Sequence, residues 1–316
     1  MRICLVKTSS MGDVIHTLPA LTDAQKALPN LQVDWVVEEN FAEIPTWHSA
    51  VKRVIPIAIR RWRKQLLQRN TWQEWQAYRQ LLQQNQYDAV IDAQGLVKSA
   101  WFAVRLAQGI KHGYDKQSAR EPLAALFYDK HYAIDYQQHA VERIRQLFAQ
   151  VLGYTLPSQQ GDYGIAQHFA VQQGVPPYVL LIHATTRADK HWCNQEWKKL
   201  AQNLTALGFA VHLPWGNEKE KHTAEWIAQG IENAVVLPKM SLTTLAQQIA
   251  NAKAVVSVDT GLAHLCAALD KPNLTLYGAT NPELIGTYGK NQYHLQAPTM
   301  AQISAEKVME YLRPVL

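Results

Sequence analysis

Nine short apolar runs, separated by longer amphipathic segments, constrain the fold of this chain more than any other feature. In the first half they are 2–7, 32–38, 53–58 and 87–93; in the second they are 178–184, 209–214, 234–237, 254–258 and 273–277. Runs this short and this apolar read as buried strands. Helical patterns lie between them, around 13–28, 41–49, 65–85 and 96–107 in the first half, with further helices spacing the runs of the second. Strands and helices in alternation build right-handed βαβ units, and hence parallel sheets. The alternation stops once, at about 153–177, where Gly, Pro, Gln and Tyr accumulate and end in Gly174-Val175-Pro176-Pro177. That stretch reads as an interdomain connector, and the helix from Gln138 to Leu152 closes what precedes it. The expectation is an α/β chain of two doubly wound domains, 1–160 and 161–316, facing each other across a cleft. The last helix is a candidate to pack back on the first domain.

Two of the strands end in turns of one special kind. Ala254-Val255-Val256-Ser257-Val258 runs into Asp259-Thr260-Gly261, and an apolar helix continues from Leu262. Strand, tight turn and helix together aim free backbone N–H groups and a positive dipole end at an anion. Thr260 adds a hydroxyl, Gly261 admits close backbone approach, and His264 lies one helical turn on; such a turn suits a diphosphate. Taken alone it is also an ordinary helix start capped by Asp259 or Thr260. A second such turn separates the readings. After Arg2-Ile3-Cys4-Leu5-Val6-Lys7 come Thr8-Ser9-Ser10-Met11-Gly12-Asp13, which puts Asp13 at a helix start on the carboxyl edge of a sheet, where open α/β folds bind ligands.

Other loops add donors. Thr185, Thr186 and Lys190 follow the strand at 178–184 and suit phosphate oxygens, though Thr, Arg, Asp and Lys are also ordinary in a solvated loop. Glu218 and Glu220 follow the next strand; either carboxylate could accept from sugar hydroxyls or simply favour a helix dipole. Met240 and Ser241 come after the strand at 234–237, with Met240 placed to sandwich an adenine. Arg60-Arg61-Trp62-Arg63-Lys64 sets four basic residues in five positions after the strand at 53–58. Such runs are usually solvated faces, but Lys98 and Arg120 supply further cations in the same half, which reads as the receiver of a strongly anionic acceptor.

Several function classes are disfavoured. No Gly-x-Gly-x-x-Gly follows a strand and no Walker lysine motif occurs, against a dinucleotide oxidoreductase or a P-loop enzyme. No Asp-x-Asp pair offers to hold a metal on a diphosphate, so protein donors must meet a leaving diphosphate. Three scattered cysteines, Cys4, Cys193 and Cys266, argue against a disulfide framework or a structural zinc. The chain opens directly into a strand, without an export-signal pattern, and no stretch approaches the roughly 20 apolar residues of a membrane span. The expectation is therefore a cytoplasmic protein. A formal charge of +5 favours phosphates, anionic sugars or a membrane surface as partners. Ten tryptophans, several beside basic residues, suit a headgroup interface or sugar stacking and are equally common in cores.

Taken together, Lys7 to Pro19 (Lys-Thr-Ser-Ser-Met-Gly-Asp-Val-Ile-His-Thr-Leu-Pro) and Asp259 to His264 resemble the bacterial lipopolysaccharide heptosyltransferases. Arg60 to Lys64, Asp92 to Ser99 and His183-Ala184-Thr185-Thr186 extend the resemblance toward heptosyltransferase I, over essentially the whole chain. One departure is Cys193-Asn194, where proline and an acidic residue are more usual; it bears on a helix start rather than on chemistry. The resemblance implies a GT-B fold, two Rossmann-like domains with the nucleotide-sugar held mainly by the second. It implies ADP-L-glycero-β-D-manno-heptose as donor and the inner Kdo of Kdo-lipid A as acceptor, at the cytoplasmic face of the inner membrane. Transfer inverts the anomeric centre and needs no cofactor or metal. In these terms Asp13 is the general base, and Lys190, Thr185, Thr186 and the Thr260-Gly261 amides stabilise the diphosphate with support from His264. Asp259, Glu220 and Met240 position heptose, ribose and adenine, while Arg60, Arg61, Arg63, Lys64, Lys98 and Arg120 meet the anionic acceptor. Heptosyltransferase II, a nucleotide-sugar epimerase of the same fold and a non-catalytic binder of nucleic acid or anionic lipid are the alternatives. The last would leave the two special turns without a purpose.

Overall fold

Ile3-Cys4-Leu5-Val6 has no polar side chain to turn toward water, so its strand has to be covered on both faces, as a parallel sheet between helices is. The computed structural model, which describes residues 1–316, holds two such sheets. The first contains β1 (Arg2–Val6), β2 (Gln32–Glu38), β3 (Val51–Ile57), β4 (Ala89–Asp92), β5 (Lys111–Tyr114) and β6 (Lys130–Tyr132), all parallel, in the order β3-β2-β1-β4-β5-β6. The second contains β7 (Tyr178–Ile182), β8 (Ala210–Leu213), β9 (Ala234–Val236), β10 (Ala254–Val258), β11 (Asn273–Tyr277) and β12 (Gln292–Gln296), again all parallel, in the order β12-β11-β10-β7-β8-β9.

Read from its other edge, the second order repeats the first: third, second, first, fourth, fifth, sixth strand. This is the Rossmann order, and each sheet reverses its direction of winding between its first and fourth strands. The switch points are β1/β4 and β7/β10. The loops that leave these four strands at their carboxyl ends carry Asp13, Gln94, Thr185 and Asp259.

The chain divides into two units, Met1–Gly164 and Ile165–Leu316. Local bonds explain why the stretch read as connector is shared, the first unit taking it up to Gly164. The buried Arg145 guanidinium, paired with Asp23 at 2.6 Å, also donates to the carbonyls of Pro157 (3.2 Å) and Gln159 (3.0 Å). Residues 165–177 are held on the other side, with Gln172 N–H donating to Asn251 at 2.7 Å and Gln247 to the Ala170 carbonyl at 2.7 Å. The closing helix Ala305–Leu312, a candidate to return to the first domain, belongs to the second unit. It packs there into one apolar cluster with Trp197, Leu200 and Leu276.

Three strands were not anticipated, β5, β6 and β12. Lys-His-Gly-Tyr, Lys-His-Tyr and Gln-Tyr-His-Leu-Gln are too polar to announce themselves, and β6 and β12 lie at sheet edges where one side needs no cover. The helix expected over 13–28 is two helices, Met11–Ile15 and Leu18–Ala27. Pro19, in the first turn of the second, has no N–H to give to a continuous helix but is well placed to begin one. The segment 96–107 likewise becomes a short turn, Val97–Ser99, followed by a π-helical turn, Ala100–Val104. Cys193 serves as N-cap of helix Asn194–Ala206 without a side-chain bond.

Candidate active site

In the first unit the chain leaves β1 through Lys7 to Ser10 and enters helix Met11–Ile15, whose third residue is Asp13. One carboxylate oxygen, Oδ2, accepts from the Ser10 backbone N–H at 2.7 Å and from its hydroxyl at 3.0 Å. The other, Oδ1, lies 4.0 Å from Lys7 Nζ. Asp13 is 30% exposed at its side chain, whereas Lys7 is only 7% exposed. The capping bonds thus fix the orientation of the carboxylate while Oδ1 stays open to a proton donor. Lys7 Nζ donates to the Ala93 carbonyl at 2.8 Å. Burial lowers its pKa, and the carboxylates of Asp13 and Asp92 oppose that shift.

This turn is locked to the loop after β4. Gln94 Oε1 accepts from the N–H groups of Thr8 (3.0 Å) and Ser9 (3.1 Å), spanning the switch point of the sheet. Asp92 holds that loop in turn: Oδ1 accepts from the N–H groups of Gln94 (2.8 Å) and Gly95 (3.2 Å), and Oδ2 from the Tyr128 hydroxyl at 2.8 Å. Burial raises the Asp92 pKa, and these hydrogen bonds counter it. Sequence reasoning gave no role to Lys7, Asp92 or Tyr128. Lys7 and Asp92 stand inside motifs that were noticed; nothing around Tyr128 marks it.

The basic run follows β3 at the same carboxyl edge, in the one-turn helix Ile59–Trp62 and just beyond it. Its start is held by the Arg60 N–H, which donates to Glu38 Oε1 at 3.2 Å, and Glu38 N–H reaches the Thr8 carbonyl at 3.0 Å. Arg60, Arg63 and Lys64 are exposed. Arg61 is committed elsewhere: it pairs with Glu39 at 2.9 Å and Glu74 at 2.8 Å. With two carboxylates on one guanidinium, Arg61 braces the turn within the unit, unlike its exposed neighbours Arg60, Arg63 and Lys64. Lys98 and Arg120 stand on loops after β4 and β5 that are bonded together, Glu121 N–H to the Gly95 carbonyl at 3.0 Å and Val97 N–H to Glu121 at 2.7 Å.

In the second unit the loops after β7 and β10 meet in the same way. Lys190 Nζ pairs with Asp259 at 2.6 Å, and the Thr185 hydroxyl donates to the Asp259 carbonyl at 3.0 Å. Lys190 and Asp259 are mostly buried, with side chains 16% and 9% exposed. Helix Gly261–Ala268 starts here, and its N-cap, Thr260, makes no side-chain bond to the first turn. By contrast Asn217, Ser241, Asn281 and Ser304 each cap their helix with a side-chain oxygen. The Gly261 and Leu262 amides are therefore open to an external acceptor, beside a cation and a hydroxyl, while the Ala263 N–H donates to the Thr260 carbonyl at 3.1 Å. Thr186 is exposed on the same loop, and His264 is buried within the helix.

Glu220 does more local work than expected. Its carboxylate accepts from Gly216 N–H at 2.7 Å and from the Asn217 side chain at 2.6 Å, while Asn217 accepts from the Glu220 N–H at 3.1 Å. The spacing Asn-x-x-Glu is a capping-box signal that could have announced this. His183 braces the same turn, with Nε2 donating to the Glu220 carbonyl at 3.1 Å. Met240 is half-buried just before the Ser241 cap. No three His, Cys, Asp or Glu side chains are grouped as a metal site. What the arrangement offers is an anion site of cation, hydroxyls and amides in the second unit, and an oriented carboxylate edged by cations in the first.

Residues 75–312 match the sequence model of glycosyltransferase family 9 (heptosyltransferase). The chain is 56% identical over 316 residues to lipopolysaccharide heptosyltransferase 1 of Escherichia coli K12, covering 99% of each protein. Among solved structures, the E. coli heptosyltransferase WaaC with ADP superposes with a TM-score of 0.97 at 55% identity, over 100% of both chains. The same enzyme with ADP-2-deoxy-2-fluoro heptose gives 0.94 at 54% identity, also over 100% of both.

Proposed function

We propose that the chain, which belongs to glycosyltransferase family 9, is lipopolysaccharide heptosyltransferase I. It transfers L-glycero-D-manno-heptose from ADP-L-glycero-β-D-manno-heptose to the inner Kdo of Kdo-lipid A. Two observations support this reading, one in each unit: an oriented Asp13 at the switch point of the first sheet, and Lys190, Thr185 and an open helix start at the switch point of the second. Full-length similarity to a heptosyltransferase solved with an ADP-heptose analogue supports it.

The second unit receives the donor. Lys190, Thr185, Thr186 and the amides at Thr260 and Gly261 take the diphosphate oxygens, with His264 behind them. An arriving diphosphate competes with Asp259 for Lys190, which leaves Asp259 free to accept from heptose hydroxyls. Glu220 keeps lone pairs beyond its capping bonds for the ribose, and Met240 lies against the adenine.

The first unit receives the acceptor. Arg60, Arg63, Lys64, Lys98 and Arg120 meet its carboxylates and phosphates, and Arg61 holds the segment that presents three of them. The acceptor hydroxyl gives its proton to Asp13 Oδ1 as its oxygen bonds to the anomeric carbon. The bond from that carbon to the diphosphate breaks, and the charge on departing ADP falls on Lys190 and the helix amides. One displacement inverts the centre. No helix is long and apolar enough to cross a membrane; in this reading the protein meets its lipid substrate from the cytoplasmic face of the inner membrane.

The deciding assay measures ADP release from ADP-heptose with Kdo-lipid A, with an already heptosylated acceptor, and with none. Release only with Kdo-lipid A is the expected result. Release only with the heptosylated acceptor would assign heptosyltransferase II instead, and none in any arm would overturn the reading.

A further inference from the structure

Leu66 and Leu67 are spent on no core. Their side chains are 58% and 99% exposed, and Trp72, three residues into helix Arg69–Gln83, is 57% exposed. The three belong to one structured turn. Gln68 N–H donates to the Gln65 carbonyl at 3.1 Å and Thr71 N–H to the Gln68 carbonyl at 3.1 Å. The Thr71 hydroxyl returns to the Gln65 carbonyl at 2.9 Å, and the Trp72 indole N–H donates to the Leu66 carbonyl at 3.0 Å. A turn tied this closely does not fold its leucines inward, so they stay in water unless something covers them.

The charges beside them say what does. Between positions 63 and 73 stand Arg63, Lys64 and Arg69, all exposed, and no acidic residue. Apolar tips ringed by cations, with a tryptophan whose indole bonds to its own turn, fit an anionic bilayer surface. Leucines enter the acyl boundary there, tryptophan settles at headgroup level, and Lys and Arg meet lipid phosphates. A protein partner would need acidic complementarity in a shaped interface, whereas a single turn presents too little area for a stable one. The turn also lies where a lipid-linked acceptor would emerge. A crossover helix runs antiparallel to its strands, so Arg69–Gln83 begins at the carboxyl edge that carries Asp13 and Arg63.

We propose that the turn Leu66–Trp72 is a membrane-docking tip that inserts Leu66, Leu67 and Trp72 into an anionic bilayer. The proposed function supplies only the reason for such a tip, a lipid-anchored acceptor; the tip can be tested without turnover. Full-length protein is sedimented with vesicles of phosphatidylcholine alone and of equal parts phosphatidylcholine and phosphatidylglycerol. Binding to the mixed vesicles is expected, together with quenching of tryptophan emission by brominated lipid that is reduced in Trp72→Phe. The double variant Leu66→Ser/Leu67→Ser should lower the partition coefficient roughly tenfold or more. Its melting temperature should be unchanged, as should its rate on a deacylated, water-soluble acceptor. Equal binding by wild type and the double variant, no binding to either vesicle, or self-association that the leucine changes abolish while vesicle binding persists would each overturn the proposal. Loss of turnover with vesicle binding intact would instead count against the proposed function.

Discussion

Replacing Asp13 by asparagine separates chemistry from structure at the one residue asked to do both. The Ser10 N–H bond at 2.7 Å needs only a carbonyl-like acceptor, which the asparagine amide provides. At this third helical position the amide can keep the capping-box bond, and the loss is the favourable negative charge near the helix N-terminus, about 0.3–1 kcal/mol. The stability cost should stay below about 1 kcal/mol, and the helix start should survive. What disappears is the proton acceptor at Oδ1. General-base catalysis contributes roughly 10²- to 10⁴-fold, or about 3–5.5 kcal/mol in the barrier. The turnover number should fall by that factor. ADP affinity should stay within about twofold, since independent sites couple weakly and the proposed donor contacts all lie in the second unit. The assay is ADP release at saturating ADP-heptose and Kdo-lipid A, with calorimetric titration of ADP and a thermal melt beside it. A folded Asp13→Asn protein that loses less than about tenfold in turnover is incompatible with a base at this position.

Lys190→Ala should weaken ADP binding roughly ten- to hundredfold, the range of one charge-assisted hydrogen bond. Adding Asp259→Asn should recover part of that by removing a carboxylate left unpaired beside the phosphates; calorimetry reads both. Arg63→Ala should raise the KM for Kdo-lipid A and flatten its dependence on salt. Arg61→Ala should act mainly through the turn it braces, and its half-exposed ion pairs should contribute less than about 1 kcal/mol to stability in a thermal melt. His48 supplies a pH dependence. Burial pushes its pKa from 6.5 down to about 4, while Nδ1 accepts from Ala50 N–H at 3.2 Å and Nε2 faces the Thr22 hydroxyl at 3.0 Å. Because the folded value is the lower one, neutral His48 contributes stability above pH 6.5 that is lost as pH falls toward 4. The loss is on the order of 3 kcal/mol. Melting temperatures from pH 7 to 4 should drop more steeply for the wild type than for His48→Gln, and parallel curves would reject the assignment.

The strands that carry both switch points could be read directly, because a buried parallel strand must be apolar over most of its length and β1, β4, β7 and β10 are, with Arg2 and Asp92 confined to strand ends and Ser257 the one polar residue inside. The two strand-to-helix turns were equally legible, since a helix start after a strand is a local event written in Ser10 to Asp13 and Asp259 to Gly261. Repetition of one strand order in both sheets was not, because order depends on which strands pair. The edge strands β6 and β12 escaped for a related reason: their backbone finds a neighbour, and little in their side chains demands one.

Sequence by itself therefore determined the fold class and the family, and it located the turns to which the chemistry is assigned under the proposed function. Tertiary structure decided which of those charged groups are free to act. Arg61 and Arg63 look alike in a basic run, yet Glu39 and Glu74 take one and leave the other in water. Asp13 follows one apolar strand and Asp92 ends another, yet Asp92 is buried and bonded to Tyr128 while Asp13 is 30% exposed at its side chain. Charge depends on composition, but availability depends on partners brought close from distant parts of the chain. A carboxylate already holding its hydrogen bonds in a buried site has little left for a substrate.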